Sequence, residues 1–205
     1  MKTLNIVFTV LLGYLIGSIN PAAIVGKIKK QDLRRQGTKN LGASNTMLVI
    51  GKGWGALVML FDIVKAFAAV KLASFLFPAL AFAGLLSGCS AVLGHVFPFY
   101  LKFKGGKGLA SFGGMILGVD PILFLILLVI ATVCMFIVNY SYAMPMSAGV
   151  LFPILYGLKT HSLVATLLAI AVSLLIIVKH WSNIGKARRG EDKKITEYAK
   201  KLFNH

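Results

Sequence analysis

The sequence predicts an all-α integral membrane protein of about seven transmembrane helices. The N-terminus is expected outside and the C-terminus in the cytoplasm, and one short helix is entered through a glycine loop. Three observations carry that expectation. First, 58% of the 205 residues are hydrophobic and 14% charged, with mean hydropathy +0.83, whereas roughly a quarter of a soluble domain is charged. Second, apolar runs of helical length recur from end to end, so 1–205 reads as a single transmembrane domain. Third, the net charge of +16 is concentrated between runs that place it on one side of a bilayer, which accounts for it without nucleic acid as a partner.

Taken in order, the first run, 4–26, is too long for a signal-peptide core and reads as a span. The loop after it carries Lys27, Lys29, Lys30, Arg34, Arg35 and Lys39 among turn-forming Gly37, Thr38, Asn40, Gly42, Ser44 and Asn45. Short polar side chains beside Arg34 and Lys39 suit a phosphate. The span over 54–77 contains Asp62 and Lys65, three apart and so on one face. Each costs about 2.5–3.5 kcal/mol near a bilayer centre, so mutual neutralisation is the natural reason for both. Runs at 79–98, 120–139, 142–158 and 162–179 complete the long spans. Cys89 and Cys134 lie inside such runs and read as buried thiols rather than a disulfide or metal cluster.

The segment 108–118 is about 17 Å long as a helix, short of a hydrocarbon core of roughly 30 Å. Counting it as a crossing keeps Lys186, Arg188, Arg189, Lys193, Lys194, Lys200 and Lys201 on the same side as the first loop; six crossings would send them outward. The glycine loop before it is therefore expected to dip into the membrane, which irregular backbone tolerates where protein or a wet cavity surrounds it. The chain ends in a basic amphipathic stretch, 195–203, suited to anionic lipid.

That loop, Lys102-Phe103-Lys104-Gly105-Gly106-Lys107-Gly108, packs three lysines and three glycines into seven residues. Backbone without Cβ approaches a ligand closely, and lysines supply point charges, so the chemistry favoured is phosphate binding at a membrane surface. It lacks both the spacer and the Ser or Thr of a P-loop. The competing reading is a basic loop touching lipid headgroups. His95 precedes the loop, while His180 and Asn183, at i and i+3 where the last span ends, face one way.

Together these segments resemble the bacterial acyl-phosphate:glycerol-3-phosphate acyltransferases, the PlsY family. The resemblance is carried by Leu15-Ile16-Gly17-Ser18-Ile19 with Pro21, by Asp32-Leu33-Arg34 followed by Gly37, Asn40, Gly42-Ala43 and Asn45, and by Asp62 with Lys65. It continues through Gly94-His95, Phe97-Pro98 and Phe103 to Gly108, and ends at His180, Asn183-Ile184 and Gly190. It implies a divergent member, in a bacterial cell membrane, that transfers a fatty acyl group from acyl phosphate to the 1-hydroxyl of glycerol 3-phosphate. The products would be lysophosphatidic acid and phosphate, in phospholipid biosynthesis, with no cofactor, nucleotide or metal and a monomeric protein. Catalysis is expected of Lys107, His95, His180 and Asn183. Substrate binding is expected of Arg34, Gly37, Thr38, Asn40, Gly42, Asn45, Lys104, Gly105, Gly106 and Gly108.

Proton handling falls to His95 or His180, unless a phosphate oxygen of the donor takes the hydroxyl proton. Departures from the family pattern are Lys39 for a glycine, Leu48 for an arginine, Tyr142 for a serine (with Ser141 one residue earlier), and Glu191 or Asp192 standing in for an offset Glu. They keep open a paralogue with another phosphorylated acceptor and a binding protein without turnover. Transport is disfavoured by the absence of an inverted repeat, and acyl-CoA chemistry by the lack of an Asp five residues after any histidine.

Overall fold

A computed structural model describes residues 2–192 and 194–197, and these are helical with irregular connections. The helices are α1 (Lys2–Ser18), α2 (Pro21–Ile28), α3 (Ala43–Val49), α4 (Lys52–Leu76), α5 (Ala83–Val96), α6 (Leu109–Val119), α7 (Pro121–Val138), α8 (Ala143–Thr160) and α9 (Leu163–Arg188). Among the described residues, four segments are long and apolar enough to cross a membrane by length and composition: Thr3–Ile28, Ala83–Leu101, Pro121–Val138 and Leu163–Arg188. The amphipathic stretch expected at 195–203 lies largely outside the described residues. Two compact units divide the chain, one ending at Pro121 and the other beginning at Ile122.

In the first unit α1 lies along α5 through a seam of small residues. A Cβ on Gly13 or Gly17 would strike the Ser87 or Ala91 carbonyl, and one on Gly94 the Tyr14 carbonyl. Such close backbone approach is how helices associate where lipid removes the usual hydrophobic drive. Gly114 of α6 meets Ile63 of α4 in the same way, and Gly118 meets Val70. Polar side chains inside this bundle, Thr9, Ser18 and Ser90, donate to the carbonyl four residues back at 2.7–2.8 Å, which satisfies each without a partner helix.

The first apolar run, expected to be one span over 4–26, is two helices interrupted at Ile19 and Asn20. Pro21 explains the interruption: it lacks an N–H, disfavours α geometry at Asn20, and suits the first position of α2. Asn20 caps α2 through its Oδ1, which accepts from Ala23 N at 2.8 Å. Backbone freed by the break finds partners from elsewhere. Tyr100 Oη accepts from Asn20 N at 3.0 Å and donates to the Ser18 carbonyl at 2.8 Å, and Lys65 Nζ donates to the Ile19 carbonyl at 2.6 Å.

In the second unit α8 packs on α9, with Gly149 against Ile177 and Gly157 against Thr166. Helix α7 buries the stripe Leu123, Leu127 and Ala131, one residue per helical turn.

Candidate active site

The buried centre of the first unit is charged. Lys65 Nζ lies 2.7 Å from Asp62 Oδ1 and 3.0 Å from His95 Nδ1, and His95 Nδ1 lies 3.1 Å from Asp62 Oδ1. All three are nearly inaccessible, at 1% for Asp62, 4% for Lys65 and 3% for His95. The expected neutralisation of Asp62 by Lys65 is therefore present, with His95, thirty residues further along, joined to it. Removing one member of a buried pair destabilises by about 3–5 kcal/mol, so the cluster fixes α4, the α1–α2 break and the end of α5 relative to one another.

On this floor rests the glycine loop. A short 3₁₀ turn, Phe99–Leu101, follows α5, and Tyr14 Oη holds its approach by donating to the Phe97 carbonyl at 2.8 Å. The chain then folds back through two consecutive left-handed residues, Lys102 at φ 56° and Phe103 at φ 57°. Gly105 N donates to the Val96 carbonyl at 3.1 Å and Gly106 N to the His95 carbonyl at 3.2 Å. The two glycines are there because nothing larger fits. A Cβ on Gly106 would overlap His95 Nε2 and come within 2.7 Å of the Leu41 carbonyl; one on Gly105 would meet the His95 carbonyl and Pro98. Lys102 and Lys104 are exposed and Lys107 half-buried. Gly108, at φ 88°, starts α6.

Leu41 brings in the first loop. Its carbonyl also accepts from Asn20 Nδ2 at 3.4 Å, so the α1–α2 break, the first loop and the glycine loop converge on one point. The first loop is shaped by Asn45, fully buried in α3. Its Oδ1 accepts from Thr38 N at 2.7 Å, and its Nδ2 donates to the Leu33 carbonyl at 2.8 Å and the Gln36 carbonyl at 3.2 Å. Asn45 thus positions Gly37 and Thr38, its amide being engaged within the loop. Gly37 is left-handed at φ 58°. Lys39, where the resembled pattern has glycine, takes φ 59°, a conformation that costs a non-glycine residue roughly 1–2 kcal/mol.

Arg34 and Thr38 are exposed and Asn40 half-exposed, while Gly42 is buried with Asn40 Nδ2 beside it. Arg34 Nε is 3.5 Å from Asp32 Oδ1, an exposed contact of the kind worth under about 1 kcal/mol. Leu48 is 65% exposed and its Cδ2 lies 3.2 Å from where a Gly37 Cβ would stand. An apolar side chain thus overhangs the loop at the position of the resembled arginine. A groove of about 670 Å³ runs between α2, this loop and the 3₁₀ turn. Its floor includes Ala22, Leu33, Leu41 and Leu101, and its rim Lys27, Lys30 and Arg34.

The remaining expected residues belong to the second unit. His180 is buried, and its Nδ1 donates to the Ile176 carbonyl at 2.9 Å. That bond leaves Nε2 as the acceptor of the neutral ring. Asn183 is half-buried one turn on. Arg189 donates to Glu191 at 2.6 and 3.1 Å, and this hydrogen bond holds the Glu191 carboxyl below its ordinary value and raises the Arg189 guanidinium. Tyr142 stacks on Tyr140 at 5.7 Å. Among the described residues no group of three or more His, Cys, Asp or Glu is arranged to hold a metal.

Sequence reasoning passed over Asn20, Tyr14 and Tyr100. Asn20-Pro21 is a visible break signal inside an apolar run, whereas the tyrosines look like ordinary interfacial aromatics until the break gives their hydroxyls a task.

The profile of the glycerol-3-phosphate acyltransferase family matches residues 7–190. Glycerol-3-phosphate acyltransferases of Staphylococcus aureus strains JH9 and Newman are each 37% identical over 198 residues, 93% of this chain and 98% of theirs. The crystal structure of PlsY, an integral membrane glycerol 3-phosphate acyltransferase, is similar in its glycerol 3-phosphate form with TM-score 0.85 and 29% identity, covering 93% of this chain and 95% of that one. Its lysophosphatidic acid form gives TM-score 0.82 and 28% identity, covering 92% and 94%. The chain is an integral membrane protein of the glycerol-3-phosphate acyltransferase family.

Proposed function

We propose that this protein transfers a fatty acyl group from acyl phosphate to the 1-hydroxyl of glycerol 3-phosphate, releasing lysophosphatidic acid and inorganic phosphate, as a seven-span monomer in the bacterial cell membrane. One observation carries the reading. A glycine loop with three lysines is clamped between a buried charged floor and the carbonyl of Leu41 in a second cationic loop. Two phosphates have to be held while a carbonyl is attacked, and two convergent basic loops suit that need. The family membership and the glycerol 3-phosphate form of the PlsY neighbour support the choice of acceptor.

In this reading Lys104 and Lys107 take phosphate charge and the developing oxyanion, and Arg34 with the Gly37–Asn45 loop takes the second phosphate. The glycerol 3-phosphate hydroxyl oxygen bonds to the acyl carbon, and the bond from that carbon to the phosphate oxygen breaks. The hydroxyl proton leaves on the released phosphate. Donors aimed at the oxyanion stabilise mainly the transition state, each worth about 3–4 kcal/mol.

Purified protein given palmitoyl phosphate and glycerol 3-phosphate should form lysophosphatidic acid and release phosphate, with palmitoyl-CoA inactive. Phosphate release only when another phosphorylated alcohol replaces glycerol 3-phosphate would instead favour a different acceptor, the reading that exposed Leu48 beside Gly37 supports. Intact protein with no release at all would favour binding without turnover.

A further inference from the structure

We propose that the groove between α2, the first loop and the 3₁₀ turn is a binding site for one anionic phospholipid, separate from the acyl-transfer site, with the lipid's phosphate held by Lys27 and Lys30. The groove lies wholly within the first unit. No residue from Lys104 to Gly108 lines it, so its occupant is not the phosphate that the glycine loop holds in the acyl-transfer reading.

Depth in the membrane sets the chemistry. Two of the segments long and apolar enough to cross, Thr3–Ile28 and Ala83–Leu101, end at this groove, which puts it at headgroup level. Tyr100, 50% exposed on its wall, is an aromatic of the kind that sits at that level. Polarity changes along α2 in the sense of a lipid. Ala22 and Ile24 line the groove a turn inside the first segment, and Lys27 and Lys30 line it at and beyond that segment's last turn. At about 670 Å³ the space is of ligand size, since pockets for small molecules run to about 300–1,000 Å³. A bare phosphate would leave the floor of Ala22, Leu41 and Leu101 against water, whereas an acyl chain covers it.

Charge selects the head. Asp32 is the one carboxylate lining the groove, and both its oxygens are engaged, Oδ1 at 3.5 Å from Arg34 Nε and Oδ2 at 3.4 Å from Arg35 Nε. Lys29 turns to the Trp54 ring, 4.6 Å from its centroid. Lys27 and Lys30 are exposed, and Asp32 is not free to neutralise them. The turn that ends α2 keeps these two together: Lys30, left-handed at φ 54°, donates its N–H to the Lys27 carbonyl at 3.2 Å, and Gln31 N donates to the Gly26 carbonyl at 2.8 Å. Two neighbouring cations at headgroup level favour a lipid of net negative charge over a zwitterionic one, whose own ammonium they repel. Acyl phosphate shares that chemistry of a phosphate on a chain; its place is at the glycine loop, and the groove is left to the bilayer's own lipid.

The test places the full chain in phosphatidylcholine nanodiscs doped with a photoactivatable phosphatidylglycerol. Crosslinks should fall on 22–31 and 100–101, saturate at low doping, and be competed by unlabelled phosphatidylglycerol while added phosphatidylcholine leaves them unchanged. Lys27→Gln with Lys30→Gln should weaken this labelling about 30-fold. Lys52→Gln with Lys194→Gln removes the same charge outside the groove and should label as wild type does. Phosphatidylglycerol added to detergent-purified protein should raise the unfolding temperature of the wild type by several degrees and leave that of the Lys27 and Lys30 double variant nearly unchanged. Equal competition by phosphatidylcholine, or labelling spread over the exposed face of α7, would reduce the groove to ordinary bilayer contact and overturn the proposal. Competition by inorganic phosphate would make it a free-anion site. Displacement by palmitoyl phosphate, with KM for that donor raised in the double variant in proportion to the lost labelling, would make it the donor's seat; either result also overturns it. Wild-type protein inactive with palmitoyl phosphate would count against the acyl-transfer reading, while crosslinking would still decide the lipid site. If the double variant does not fold, the wild-type competition curves decide alone.

Discussion

Replacing Gly106 by alanine tests the loop where it is most tightly held. The added methyl would stand 2.7 Å from the Leu41 carbonyl oxygen, about 0.7 Å inside the 3.4 Å at which ordinary contact begins, and would overlap the His95 ring on its other side. Neither neighbour yields easily. The Leu41 carbonyl is backbone that also holds Asn20, and His95 is fixed by Asp62 and Lys65. The loop itself has to lift, at the cost of overpacking, about 1–3 kcal/mol. A shift of order 1 Å in a positioned catalytic group lowers turnover by about 10². Gly53→Ala is the matched control, because nothing lies within 4 Å of a Cβ there and alanine in a helix is worth about 0.5–1 kcal/mol over glycine. The assay is lysophosphatidic acid formation, with thermal unfolding in detergent alongside. Gly106→Ala should lose about 10² in kcat and unfold several degrees earlier, with Gly53→Ala active and no less stable. Wild-type turnover and melting in Gly106→Ala would show that the loop is not clamped between His95 and Leu41.

Lys107→Ala should lower turnover by about 10²–10³ with normal insertion and purification, while exposed Lys102→Ala stays within a few-fold; equal small effects in steady-state assays would return the loop to headgroup contact. Leu48→Arg places a guanidinium beside Gly37, and a charged hydrogen bond of about 1.5–3 kcal/mol should lower KM for glycerol 3-phosphate by one to two decades; an unchanged KM would mean that the acceptor phosphate does not approach this position. Single cysteines at Lys39, Lys104 and Arg188 should react with an impermeant maleimide from the cytoplasmic side and one at Lys159 from outside. Labelling of Lys159 and Arg188 from one side removes the seven-span topology.

The fold was legible because the bilayer simplifies it: apolar length dictates where helices start and stop, and α4 through α8 fall within a few residues of the runs that predict them, while α9 starts where expected and runs on past 179 to Arg188. Gly105 and Gly106 stand out in the sequence as two glycines between lysines, and their close approach to His95, Pro98 and the Leu41 carbonyl gives a steric reason for them. What periodicity could not give was the third partner of the Asp62–Lys65 pair. The spacing of three within α4 is a local signal, whereas His95 joins through a packing of α4 on α5 that no window of sequence contains. Asn45 shows a related limit: composition marks it as a phosphate ligand, and its three hydrogen bonds to Leu33, Gln36 and Thr38 make it the residue that shapes the loop.

The interruption at Ile19 and Asn20 ties these facts together. Breaking a helix inside an apolar run frees backbone groups that lipid cannot satisfy, each costing several kcal/mol if left bare. Their partners, Tyr100 Oη and Lys65 Nζ, come from the segment that carries the glycine loop and from the cluster on which that loop rests. Stability of the break and placement of the loop are therefore one requirement. A continuous helix over 4–26 would leave the Tyr100 hydroxyl and one Lys65 proton without acceptors, and with them the restraints that aim Gly105, Gly106 and Lys107. The proline that looks like a flaw in a membrane span is what lets a membrane helix bundle present its glycine loop at a defined position.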